Sequence, residues 1–505
     1  MPYQTAFTPR SLAFIAVHTL VWYVMILIAK PFLDKAGDMA EVWAWSQHLL
    51  MGTNKHPQLL PWATQFWFDV FPRTPAAFYG LAAVTLLVGL AGIYALGRQF
   101  LGSDTKALAA LGLSVLAFPY LTLADKLNMN AICLATWPWA AWAFLWIVKH
   151  PTSRKGILAG AAFGLFAALA IQGKYYSALP LASILVASFT PRIRPLWRRL
   201  GPWTGVAVFA LLTLPFLIWQ IDHDFATFKY VDERGHGLAI LQLLDFAFAP
   251  ISFWLLPFSI VLTLFYRGPW LQRVKNCWRW TDAQDVLWYL TVGPYVVSLL
   301  FGVLGLVHLS VSWSIPIGYT FTILWVRNAD PGSVEAASKK FIHWFRWIWP
   351  AMIALSLVYT VAEAFGGIRE LYTPEAEAAA EIAAHWETMG QDGPISWAAA
   401  NVNAARVAFY WRAPIMVEVL PGLPGQLPDY YPPRATWQSE NGVVICPLGG
   451  GTDTEVVNKC TREATDWAAK NGVNLIPYRF SVHRSGLYFP RLVPYSYAAF
   501  YVIPA

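Results

Sequence analysis

Between Gly37 and Leu50 the sequence reads Gly-Asp-Met-Ala-Glu-Val-Trp-Ala-Trp-Ser-Gln-His-Leu-Leu, which places two carboxylates, Asp38 and Glu41, at the head of a segment with apolar residues at 39, 42, 43, 49 and 50. That spacing predicts an amphipathic helix lying on a membrane surface. A carboxylate at its mouth could take the proton of an attacking hydroxyl. It could equally be structural, because Asp is a favoured N-cap and an acid three residues later has the spacing of a capping box. His56, followed by Pro57, ends this segment and can either orient a substrate or hold a loop by hydrogen bonding.

Further along, Ile171-Gln172-Gly173-Lys174-Tyr175-Tyr176 sets one lysine between two apolar stretches. A charge at that depth is expensive, so it is either functional or a lysine snorkelling from a helix end. Tyr175 beside it is a candidate substrate contact. Asp125 opens another apolar stretch, as an acceptor-orienting group, a partner for Lys174 or a helix cap. Lys229, Arg234 and His236 form a basic cluster after an aromatic run and could bind a phosphate or an acidic sugar. The acids among them, Asp222, Asp224, Asp232 and Glu233, match no calcium-loop spacing.

These groups must be carried by membrane-spanning helices. The chain is 57% hydrophobic and 13% charged, whereas soluble domains carry roughly a quarter charged residues. Apolar stretches of spanning length run near 11–30, 77–97, 105–122, 128–148, 156–173, 175–190, 203–220, 240–266, 285–306, 309–326 and 347–365, which predicts about eleven transmembrane helices. Alternate loops hold the basic residues, among them Arg98, Lys149, Arg192, Arg194, Arg198, Arg199, Arg273 and Lys340. These loops read as cytoplasmic. The amino terminus is then inside, and after an odd number of spans the carboxyl terminus is outside. The net charge of +7 is absorbed by these loops, and nucleic acid is not an expected partner.

Composition changes after residue 365, where an acidic, alanine-rich stretch and a Pro/Gly-dense stretch precede short β-type runs at Gly442–Cys446 and Ala498–Ile503. Residues 366–505 therefore read as a small soluble α+β domain, and residues 1–365 as a membrane domain with a first outer loop over 31–75. Cys446 and Cys460 both fall in the soluble domain and are candidates for a disulfide on an oxidising side, although free thiols stay open.

The string Asp-x-Ala-x-x-Trp-x-Trp-Ser-x-x-Leu from Asp38, followed by His56-Pro57, resembles the membrane glycosyltransferases that use polyprenyl-phosphate sugars. These include protein mannosyltransferases, lipid A aminoarabinosyltransferases and, most similar by eye, rhizobial-type lipopolysaccharide galacturonosyltransferases. In that family the first outer loop opens with an acidic pair and continues to a His-Pro-Pro or Lys-Pro element. Here Met39 stands for the second acid and Gln58 for the second proline. The Gly173-Lys174 element, the segment from Trp219 to His236 and the Leu487–Arg491 element resemble the same branch.

The resemblance implies a GT-C-like polytopic fold with amphipathic surface helices in the first outer loop. It implies an inverting transfer in which Asp38 is the base, and Glu41, His56, Asp125, Lys174, Tyr175, Lys229, Arg234 and His236 are substrate-binding candidates. No cofactor or metal is required by this chemistry, and a divalent ion is left open. The implied partners are membrane lipid, a polyprenyl-phosphate-linked sugar, and a lipid A, glycolipid or glycan acceptor. The expected setting is a bacterial inner membrane, with the soluble domain periplasmic and the chain monomeric. The alternatives are a lipid or polysaccharide transporter, which predicts inverted repeats not found here, and a non-catalytic envelope assembly protein descended from the transferases.

Overall fold

Within hydrocarbon every backbone amide and carbonyl must be satisfied inside its own segment, so long apolar runs become helices. A computed structural model of the chain describes residues 7–30, 32–34, 37–233, 235, 237–282, 285–366, 374–399, 401–411, 417–449, 454–483 and 494–504. In chain order the first helices are α1 (Pro9–Ala29), α2 (Asp38–Ser46), α3 (Leu59–Val70), α4 (Pro75–Leu101), α5 (Asp104–Ser114) and α6 (Met129–Lys149). Then come α7 (Arg154–Gly173), α8 (Ala178–Ser188), α9 (Leu200–Asp222), α10 (Ala226–Glu233), α11 (Ile240–Leu264) and α12 (Trp270–Cys277). The remaining helices of this part are α13 (Val286–Val303), α14 (Phe321–Asn328), α15 (Val334–His343) and α16 (Phe345–Gly366).

Among the described residues eight helices, α1, α4, α6, α7, α9, α11, α13 and α16, are long and apolar enough to cross a membrane. A ninth crossing results if α5 and Pro119–Lys126, bent 68° from it, are one broken span. The protein is a multi-pass helical membrane protein, but three of the apolar stretches are not regular spans. The stretch 105–122 breaks after Ser114, over residues 115–117, and resumes as a π-type turn at Pro119–Leu123. The stretch 175–190 is helical only as a short apolar segment, Tyr175–Ser188. The stretch 309–326 holds only a short 3-10 turn, Val311–Ser314, before its helix starts at Phe321; between them Pro316 lacks an amide and Gly318 stands at φ 97°.

Helices α7 and α9 approach through small residues. A Cβ on Gly160 would lie 2.0 Å from the Gly201 carbonyl oxygen, and one on Gly164 would lie 2.4 Å from that of Gly205. This is small-residue packing at four-residue spacing, which lets two backbones meet in a membrane.

Two compact units divide the chain. One contains Met1–Met25, Asn54–Leu60 and Tyr79–Ile353; the other contains Ile26–Thr53, Pro61–Phe78 and Ala354–Ala505. Most of the segment 31–75 thus clusters with the C-terminal residues. In the second unit the remaining elements are α17 (Glu375–Thr388), β1 (Trp397–Ala399), α18 (Asn401–Ala408), β2 (Glu418–Val419), β3 (Gly442–Gly449), α19 (Thr454–Asn471), β4 (Leu475–Val482) and β5 (Tyr495–Val502). They form a mixed sheet of order β2-β1-β3-β5-β4, parallel across β2-β1-β3 and antiparallel across β3-β5-β4. Its core gathers Trp397, Val444, Trp437, Trp467 and Phe500.

Cys446 on β3 and Cys460 on α19 are joined by a disulfide that closes a separation of 14 residues, with Cα atoms 5.8 Å apart. A loop of that length constrains the unfolded chain by about 3 kcal/mol. Replacing both cysteines by Ala is expected to destabilise the C-terminal domain by about that amount, read as protease cleavage of the domain at lower urea; an unchanged midpoint contradicts it.

Candidate active site

Helix α2 starts from a turn that only glycine adopts without strain. Gly37, its N-cap, has φ 80° and ψ 6°, and a Cβ there would stand 2.3 Å from Val402 Cγ1 on α18. Asp38 is therefore the first residue of the helix and not its cap, which corrects the capping-box reading. The cap is supplied from four residues upstream. Asp34 Oδ2 accepts the Asp38 amide at 3.0 Å and Oδ1 accepts the Met39 amide at 2.7 Å. Gly37 donates its own amide to the Asp34 carbonyl at 3.2 Å. Asp38 and Glu41 are both half-buried on the first turn. Met39, where a second acid would stand, is 0% exposed and acts as a packing residue.

The rest of α2 is seated within the same unit. The Trp43 ring meets Phe409 edge-on at 5.4 Å and carries the Arg73 guanidinium over its face at 5.3 Å. Arg73 also donates to the Trp411 carbonyl. Gln47 bonds the backbone on both sides of Glu418, accepting from Val419 at 2.8 Å and donating to Val417 at 3.2 Å. His48 Nε2 lies 2.8 Å from Glu418, which also pairs with Arg434. Burial, reinforced by Arg434, pulls the His48 imidazole below its ordinary range. These contacts fix the direction in which α2 points its first turn.

In the other unit the basic site is built around Lys174, the C-cap of α7. Its side chain is 6% exposed, which removes the snorkelling reading. The ammonium donates to Asn130 and lies over the rings of Tyr176 and Trp313, at 5.8 and 5.6 Å from their centroids. Asn128 caps α6 by accepting the amides of Asn130 and Ala131, and so places Asn130. Gly173 is required at the preceding position, because a Cβ would lie 2.3 Å from Ile132 Cγ2. Trp137 donates to the Ser177 hydroxyl at 2.8 Å, and Tyr176 and Ser298 share a hydrogen bond of 2.6 Å.

Tyr175 accepts from Gln220 Nε2 at 3.0 Å, and Gln220 donates also to Thr227 at 2.6 Å. This ties the end of α7 to the turn after α9, where Asp224 and Phe225 both hold positive φ. Asp125 is 1% exposed in the bent segment after α5. His56 is half-buried just before α3. Lys229 is solvent-facing, its ammonium 3.9 Å from Asp224. Arg234, His236 and the Leu487–Arg491 element lie outside the described residues. Among the described residues, no group of three or more His, Cys, Asp or Glu side chains is arranged to hold a metal ion.

Two residues of these sites escape a reading by motif. Asp34 carries no local signal beyond its place before Gly37, and Gln220 is a single amide at the end of an apolar span. The glycines that let α7 pack on α9, Gly156, Gly160 and Gly164 at four-residue spacing facing Gly201 and Gly205, are a pattern that the reading by apolar length passed over.

The spans define a multi-pass membrane protein, and its similarity to known proteins gives the activity. The model of the dolichyl-phosphate-mannose-protein mannosyltransferase family matches residues 55–219. The lipopolysaccharide core galacturonosyltransferase RgtB of Rhizobium johnstonii is 23% identical over 403 residues, 73% of this chain and 74% of that one. The lipid A galacturonosyltransferase RgtD of the same organism is 23% identical over 252 residues, 47% of this chain and half of its own length. In structure the chain is similar to ArnT from Cupriavidus metallidurans bound to undecaprenyl phosphate, with TM-score 0.60, 16% identity and 97% of both chains covered. The chain is a glycosyltransferase with the ArnT-like GT-C fold, similar in part of its length to the mannosyltransferase family and to the two rhizobial galacturonosyltransferases.

Gly37→Ala is expected to cost about 1–2 kcal/mol through its left-handed φ alone, with the clash against Val402 added. A lower melting temperature of the purified protein checks this, and an unchanged one contradicts the turn described here.

Proposed function

We propose that the protein is an inverting glycosyltransferase that moves galacturonate from a polyprenyl phosphate to lipid A or the lipopolysaccharide core at the periplasmic face of the inner membrane, and works as a monomer. The observation that carries this reading is Asp38 on the first turn of a fixed helix whose capping is done by another residue. The basic loops support an N-inside topology, which puts the segment 31–75 and the C-terminal domain in the periplasm. The disulfide is consistent with that compartment. The two galacturonosyltransferase relatives support the sugar and the acceptor class, and ArnT with its undecaprenyl phosphate supports the carrier.

In this mechanism the acceptor hydroxyl oxygen attacks the anomeric carbon as Asp38 takes its proton. The bond from that carbon to the phosphate oxygen breaks, and the lipid phosphate departs with the electron pair as a stable anion. One carboxylate suffices, because the leaving group needs no proton. Lys174, itself 6% exposed, holds the phosphate as a compact positive charge. Tyr175, set by Gln220, lines the same end of α7. Lys229, Arg234 and His236 attract the acidic sugar or phosphate from the adjoining segment, and Glu41, His56 and Asp125 orient the acceptor.

A deletion strain is expected to lose galacturonate from lipid A or core, seen by mass spectrometry and restored by the wild-type gene. Asp38→Asn is expected to reduce transfer by about 100- to 10,000-fold with normal membrane expression. Lys174→Met is expected to reduce it by about 100-fold. An unchanged lipopolysaccharide profile, or an active Asp38→Asn protein, contradicts the proposal.

A further inference from the structure

The most deeply withdrawn carboxylate beside Asp38 is Asp34, at 5% exposure. Burying a carboxylate is unfavourable unless hydrogen bonds replace its water. Here each oxygen takes one amide, and the two amides are the first two of α2, donors that have no carbonyl partner within the helix. The helix dipole favours negative charge at this end. The main chain is tied over the same residues by the Gly37 amide to the Asp34 carbonyl, and Gly37 is held against Val402. The backbone of Asp38 is thereby pinned from its own amide, from the next amide and from the preceding residue.

We infer that Asp34 is a positioning residue: its carboxylate fixes the first two amides of α2 and so sets the direction of the Asp38 side chain. The inference rests on the reading of Asp38 as the base, and it adds a residue that never touches substrate. The charged groups facing Asp34 are Asp38 on its own segment and Arg406 on α18, which pairs with Glu375 of α17 at 2.7 Å. Burial, and next the Asp38 charge, push the Asp34 carboxyl up to about 6, against the opposing pull of the two amides and Arg406.

The sign follows from that shift. Ionised Asp34 offers two acceptors, and protonation turns one of them into a donor facing an amide. Catalysis therefore falls as pH drops through about 6. Stability moves the other way, because an acid whose folded pKa is raised favours the folded state when protonated and withdraws that contribution as pH rises through about 6.

The test uses the full-length protein in nanodiscs, with undecaprenyl-phosphate galacturonate as donor and lipopolysaccharide from the deletion strain as acceptor. Asp34→Asn keeps one acceptor and turns an amino group toward the other amide. Its kcat at pH 8 is expected to fall about tenfold to 100-fold, with the donor KM within about twofold of wild type. The decline of kcat below about pH 6 is expected in wild type and absent in the variant. Wild-type kcat and pH profile in Asp34→Asn, alongside an inactive Asp38→Asn, overturn the positioning role and leave the base intact. An active Asp38→Asn overturns the base reading itself. Hydrogen exchange on the wild-type protein needs neither variant nor substrate. Protection of the Asp38 and Met39 amides is expected to drop as pH falls from about 7 to about 5, and constant protection overturns the inference.

Discussion

A helix that begins on a left-handed glycine presents amides with no carbonyl to receive them, and in this protein a buried carboxylate receives the first two. Most of what distinguishes the segment between α1 and α4 depends on that arrangement. With Asp34 in the capping role, the carboxylate of Asp38 is not needed to start the helix. With Gly37 pressed against Val402, the start of the helix cannot slide along α18. The chemistry proposed for Asp38 needs both, because a general base must meet the proton it removes within hydrogen-bonding distance.

The C-terminal residues continue the same logic. A helix of nine residues has little stability of its own. It is held by Phe409 against Trp43, by backbone bonds to Gln47 around Glu418, and by Glu418 itself, shared between His48 and Arg434. The C-terminal sheet is therefore part of what gives the first connecting segment its shape. That sheet is clamped to α19 by the Cys446–Cys460 bond. Around Lys174 a different constraint operates. There the glycine-lined contact of α7 with α9, and the absence of a side chain at Gly173, bring a buried ammonium to an amide and two aromatic faces.

Much of this was legible in the amino-acid order, because bilayer thickness turns apolar length into helices and β-type runs at 442–446 and 498–503 fell within β3 and largely within β5. Irregular spans were less so. Pro119, Pro316 and Gly318 were visible, but a window of mean apolarity passes over a broken backbone as readily as over a helix. The capping of α2 was misread at Asp38, since the positive φ of Gly37 displaces the cap from the adjacent residue to one four positions upstream. Lys174 stood out in the sequence as a costly charge and is buried in the structure, whereas Asn130 and Trp313, which meet it, and Gln220, which bonds Tyr175, lie far away in sequence and come near only by the packing of the spans.

The account rests on one base and one direct displacement, and the configuration of the product reports on this most directly. The anomeric configuration of the transferred sugar, determined by nuclear magnetic resonance on the glycolipid product and on the polyprenyl-phosphate donor, is predicted to be inverted. Retention would require a second, covalent step at the anomeric carbon and would contradict the role given to Asp38.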